Sequence, residues 1–151
     1  MNIVMLSPYY APHLGAVERQ VEHIAQECVK DGHHITIFTR SHDKTLTPKE
    51  THGSITILRN TFASPLFHTV STFLSLFFSK STVPKIIERI EIWSWLLRHI
   101  PTFLAADVIH IHDVFFWYWP LRFLLFWKPV YITFHGFEAG SLPTAKAMKA
   151  R

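Results

Sequence analysis

Apolar residues fall along this chain in two alternating patterns, short continuous runs and helical spacings, and that alternation lays out the elements. Asn2 to Leu6 (NIVML) is a short apolar run ended by Ser7-Pro8, the pattern of a strand buried on both faces. From Gly15 onward Val17, Val21, Ile24, Ala25, Cys28 and Val29 recur every three or four residues, and Gly32 stands at the usual helix stop. HITIFTR (34–40) is β-branched and aromatic and predicts a second strand, so the chain opens strand, helix, strand, which requires a right-handed crossover and a parallel sheet. Residues 41–54, polar with Pro48 and Gly53, read as loop before a third strand, SITILRN (54–60).

Two helical patterns follow, one through Leu66, Phe67, Val70, Phe73, Leu74 and Phe77, the other through Ile86, Ile87, Ile90, Trp93 and Leu97, with Pro84 between them. ADVIHIH (106–112) and PVYITFH (129–135) read as a fourth and a fifth strand, and 114–127 fits either an aromatic helix or an irregular connection. The predicted fold class is α/β, a doubly wound, Rossmann-like parallel sheet in a single domain over 1–151. The tail after the fifth strand is short and helix-prone (TAKAMKAR), so the sheet's last helix and strand are expected beyond Arg151.

Composition narrows this picture. An apolar fraction of 48% against 17% charged residues excludes a disordered tail, and 151 residues suffice for one core. Fifteen Lys and Arg against 11 acids favour an anionic partner, but the bases are scattered rather than striped, which argues against nucleic acid. The single cysteine, Cys28, excludes a disulfide framework, and with no cationic leader at the start the expected location is cytoplasmic. The stretches 62–78 and 114–134 are aromatic-rich, yet Pro65 and His68 interrupt the first and Pro120, Arg122, Lys128 and Pro129 the second, so an interfacial face is favoured over a membrane span.

In an open parallel sheet, ligands bind at the carboxyl ends of the strands near the topological switch point. Three segments should meet there: loop 7–16, His110 to Asp113, and His135 to Glu138. In HLGAVER (13–19), Gly15 lets backbone N–H groups approach an oxyanion at a helix N-terminus, or it makes only the turn while Glu18 balances the helix dipole. His110 and His112 point to one side of their strand; they are open to three roles, as zinc ligands with Asp113, as hydrogen-bonded sheet residues, or facing a ligand. In TFHGFE, His135 at a strand end can offer a hydrogen bond or a proton, and Glu138 can accept a hydroxyl, unless the pair is merely a capped strand end.

In order and spacing, IVMLSPYYAPHLG, GAVER, VEHIAQECVKDGHHITIFT, DVIHIHD and PVYITFHGFE resemble the amino-terminal half of the family-four-like glycosyltransferases, which have the two-domain GT-B architecture. The resemblance implies sugar transfer from a nucleotide-sugar donor to a glycan or lipid-linked acceptor, with retention, without a metal or other cofactor. It implies that Gly15 and Ala16 meet the donor diphosphate and that His135 is the catalytic contact to the transferred sugar; Glu18 matches the pattern's acid with its role open, and Glu18, Arg19, His110, His112, Gly136 and Glu138 are the further residues expected in substrate binding. Ala16 departs from the family's second glycine. The carboxy-terminal half, which carries most of the nucleotide site, is not in this chain, so a fragment, a truncated product or a split subunit inactive alone is expected. Peripheral membrane contact through 62–78 and 114–127, beside Lys80, Lys85, Arg122 and Lys128, suits a lipid-linked acceptor. A noncatalytic membrane-surface or partner-binding module is the alternative, and a metal-dependent hydrolase a more distant one.

Overall fold

The computed structural model describes residues 1–13, 15–43, 45–61 and 83–135. Its elements are β1 (Asn2–Leu6), α1 (Ala16–Lys30), β2 (His34–Arg40), β3 (Lys49–His52), β4 (Ile55–Asn60), α2 (Val83–Arg98), α3 (Ile100–Ala105), β5 (Val108–His112), α4 (Phe115–Leu124) and β6 (Val130–Thr133). They form one six-stranded sheet in the order β3-β4-β2-β1-β5-β6. All pairings are parallel except that of β3 with β4. The chain steps outward from β1 to β2 and β4, then returns to the other side of β1 for β5 and β6, so the switch point lies between β1 and β5. The doubly wound α/β reading of the sequence stands.

Strand alternation divides the core into two layers. Ile3, Met5, Ile35, Ile37 and Ile57 face α1 and pack on Val21 and Ala25. Val4, Leu6, Phe38, Leu58, Ile109 and Ile111 face the other way, onto Ile92 and Leu96 of α2, Phe103 of α3 and Trp117, Tyr118 and Leu121 of α4. Since Val108 packs on the α1 side, His110 and His112 share that side by the same alternation.

One expectation is corrected, and two readings are narrowed. Strand β3 lies within the predicted loop 41–54; KETH is polar and mostly exposed, so it carries no apolar alternation, and backbone pairing across the two-residue turn Gly53-Ser54, with Gly53 at φ +57°, forms it. Pro84 sits in the first turn of α2, where its missing N–H costs nothing, so α2 starts at the predicted break; the pattern before it lies outside the described residues. The 114–127 connection resolves into α4 despite Pro120. Pro120 cannot donate to the carbonyl of Phe116, and the indole N–H of Trp93 on α2 donates to that carbonyl instead at 3.0 Å. No helix among the described residues is long and apolar enough to cross a membrane. The helical pattern 66–77, Lys80 and the tail after His135 lie outside the described residues.

Candidate functional site

The switch point brings three loops to one rim: the turn after β1, Asp113-Val114 after β5, and Phe134-His135 after β6. Asp113 adopts a left-handed conformation (φ 59°), which a short polar side chain tolerates, and its Oδ1 accepts the backbone N–H of His135 at 3.0 Å. That bond fixes where the chain leaves β6 relative to β5.

The imidazole of His135 is held at both nitrogens. Its Nδ1 is 2.9 Å from Oε1 of Gln20 on α1, and its Nε2 is 2.9 Å from Nδ1 of His112 on β5. An amide oxygen only accepts, so Nδ1 of His135 carries the proton and Nε2 accepts from Nδ1–H of His112. This leaves Nε2 of the fully buried His112 as a lone pair with no partner among the described residues. The rings of His112 and His135 stack at 5.2 Å, and those of His110 and His112 lie 4.0 Å apart. Nε2 of His110 bonds the Thr133 hydroxyl at 2.8 Å.

Burial pushes the pKa of His112 down to about 3, with the neighbouring charges of His110 and His135 adding to it. Burial, then the charge of His135, also lowers that of His110. Neutral imidazoles on β5 are thus built into the site. Among the described residues no three His, Cys, Asp or Glu side chains converge as a metal-binding group. The histidines instead bond one another and Thr133.

At the start of α1, Gly15 is the N-cap in extended conformation (φ −140°), with no side-chain cap. Its lack of a side chain has a local cause: a Cβ there would collide with Oε2 of Glu18, which folds back over it. Glu18 is buried, and its Oε1 stands 3.2 Å from Nδ1 of His13, an ion-pair distance without hydrogen-bond alignment. The positive end of the helix therefore already faces one fixed carboxylate. His13 stacks on Tyr9 at 4.8 Å and meets His42 edge-on at 5.2 Å, building a ring cluster over the loop. Ala16 and Arg19 lie exposed in the first turn.

The residues singled out in the sequence thus form two groups: His112 and His135 bonded to each other with the His110 ring against His112, and Gly15, Ala16, Glu18 and Arg19 in the stretch leading to Gln20, which links to that set. Gly136 and Glu138 lie outside the described residues. Sequence reasoning missed Gln20, Thr133 and His13. Gln20 belongs to no motif; only the strand order β1-β5-β6 carries β6 to within reach of α1.

Comparison with known proteins gives two findings. The sequence model of the family described as Glycosyltransferase Family 4 matches residues 17–151. Sucrose-phosphate synthase from Thermosynechococcus elongatus superposes with a TM-score of 0.58 at 18% identity, over 89% of this chain and 33% of that one. At that identity the likeness shows a shared fold, and this chain spans about a third of the synthase. A second structure of the synthase matches 99% of this chain and 95% of its own at 15% identity, but its TM-score of 0.32 is too low to add weight. No curated protein matches the chain significantly.

Proposed function

Because the chain belongs to glycosyltransferase family 4, we propose that it forms the amino-terminal, acceptor-side domain of a GT-B transferase that moves a sugar from a nucleotide-sugar donor to an acceptor. The observation that carries this reading is the bonded link Gln20–His135–His112 at the switch point, which ties the β1–α1 segment to the end of β6. Transfer separates charge: the leaving diphosphate gains negative charge while the anomeric carbon gains positive charge. Backbone N–H groups of Gly15 and Ala16 at the α1 N-terminus stabilise the first, in competition with the Glu18 carboxylate that folds over Gly15. His135 contacts the sugar through Nδ1 when a sugar hydroxyl takes the place of Gln20, whose side chain is on the exposed side of the bond. His112 stays neutral behind it and holds the ring. Retention without a metal, and a second domain carrying the nucleotide, are further parts of this reading that the family resemblance supports.

The acceptor proposed is lipid-linked. Phe126 is 80% and Phe123 is 68% exposed, and they border an open groove of about 600 Å³ beside Arg122. Trp127, edge-on to Phe126 at 5.2 Å, extends this aromatic surface. Such a surface suits the membrane interface, where aromatic bodies embed and cations meet anionic headgroups.

The test is sugar transfer by the full-length protein with a panel of nucleotide sugars. Product formation that falls at least a hundredfold in His135→Ala, with the fold retained by circular dichroism, supports the reading. Transfer unaffected by His135→Ala removes this residue from the site, and binding to lipid with no transfer from any donor favours the noncatalytic membrane-surface module.

A further inference from the structure

On the lateral side of α1, away from the histidine set, a cavity of about 370 Å³ opens between α1 and the β3–β4 hairpin. That volume falls at the small end of the range for small-molecule sites, roughly 300–1,000 Å³. Its wall is apolar at Pro12, Ile55 and Ile57 and polar at Tyr10, Glu22 and Arg59.

Tyr10 is the telling residue. It is 4% exposed and makes no side-chain hydrogen bond to another described residue, yet its hydroxyl is not among the sealed, unpartnered atoms of the interior and lines the cavity. Burial pushes its pKa up to about 12, with the Glu22 carboxylate adding to the rise and Arg59 opposing it, and all three side chains line the same cavity. A phenol oxygen at a cavity wall can accept from a ligand or from water.

The charge balance then selects the ligand. Arg59 is paired with Glu50 at 3.0 Å and donates to the carbonyls of Thr47 at 3.3 Å and Ala11 at 2.8 Å. Among the described residues Glu22 has no cation: its one side-chain bond is from the Gln26 amide at a long 3.4 Å. Among the described residues the cavity is thus lined by one carboxylate without a paired cation, a phenol oxygen that can accept, and an apolar wall.

We propose that this cavity binds a small ligand bearing a primary ammonium group on a ring-sized body, the ammonium donating to Glu22 and to the Tyr10 oxygen while the body lies on Ile55 and Ile57. An aminated sugar has that chemistry, either free or as the terminal unit of a larger glycan. The site is separate from the histidine rim and does not require the chain to be a transferase.

Titration of this 151-residue chain with glucosamine, followed by amide NMR, tests it, with glucose and 1,4-diaminobutane as comparison probes. The expected result is saturable shifts at Glu22, Gln26 and Ile57 with glucosamine, at least tenfold weaker affinity in Glu22→Gln, severalfold weaker affinity in Tyr10→Phe, and no saturation with glucose. A disaccharide ending in glucosamine separates a terminal glycan unit from the free sugar. Diaminobutane binding as tightly as glucosamine keeps the ammonium site but overturns the ring-sized body. Glucose binding as tightly, or no loss in Glu22→Gln, overturns the ammonium site, as does the absence of shifts with any probe. Transfer activity of the full-length protein is read separately, so its absence leaves this result standing.

Discussion

Nδ1 of His135 lies 2.9 Å from Oε1 of Gln20, a hydrogen bond across 115 positions that joins the end of β6 to the second turn of α1. It decides which imidazole nitrogen carries the proton. Replacing Gln20 by Leu removes the acceptor, so the share of His135 with its proton on Nε2 should rise. Nitrogen-15 NMR of the ring reads the tautomer directly, and an unchanged spectrum would mean that Gln20 does not hold the ring.

His112 couples the site to acid stability. Its folded pKa of about 3 lies below the ordinary value of 6.5, so between those limits the unfolded chain takes up a proton that the folded chain refuses. The stability it contributes is fully present above pH 6.5 and is lost as pH falls towards 3, at up to about 1.4 kcal/mol per unit. His112→Phe, which cannot titrate, should flatten this part of the stability curve in urea melts at stepped pH. An equally steep curve in the variant would assign the acid sensitivity elsewhere.

The contact between Gly15 and Glu18 makes a paired prediction. Gly15→Ala should cost about 1 kcal/mol, because the added methyl must push a buried carboxylate aside. In a Glu18→Ala background that cost should vanish. A cost that persists there would trace the glycine to something other than Glu18, and thermal melts of the four chains decide it.

How much of this was legible in the residues differs by element. Continuous apolar runs such as NIVML and the spacing from Val17 to Val29 marked β1 and α1 because both are buried against other elements, and burial is what leaves an apolar pattern. β3 left none, since backbone pairing alone holds it. His110, His112 and His135 could be picked out by type and place at strand ends, but their bonds to one another depend on which strands are neighbours. Gln20 shows the limit: as an exposed polar residue on a helix it looks like any other, and only the β1-β5-β6 order gives it a partner.

Trp93 and Pro120 should be energetically coupled. Trp93→Phe removes the donor to the Phe116 carbonyl that Pro120 leaves open, at a cost of about 1 kcal/mol. With Pro120→Ala, the helix supplies its own donor and the same substitution should cost less. A double-mutant cycle by urea unfolding measures the difference, and additivity would show that the indole bond carries no weight.

Phe126 and Trp127 are exposed, so replacing both by Ser should leave the melting temperature within about 0.5 kcal/mol equivalent of the parent. Sedimentation with vesicles containing anionic lipid should fall severalfold. Retained sedimentation would place the membrane contact on another surface.

Among the described residues β6 ends the sheet with one side unpaired, a four-residue strand margin beside Tyr131 and Phe134. A strand margin of this kind recruits whatever extended peptide arrives first. At high concentration in isolation the molecule should therefore stick to itself through that margin, and adding a short complementary strand, in trans or by fusion, is the direct way to keep it monodisperse.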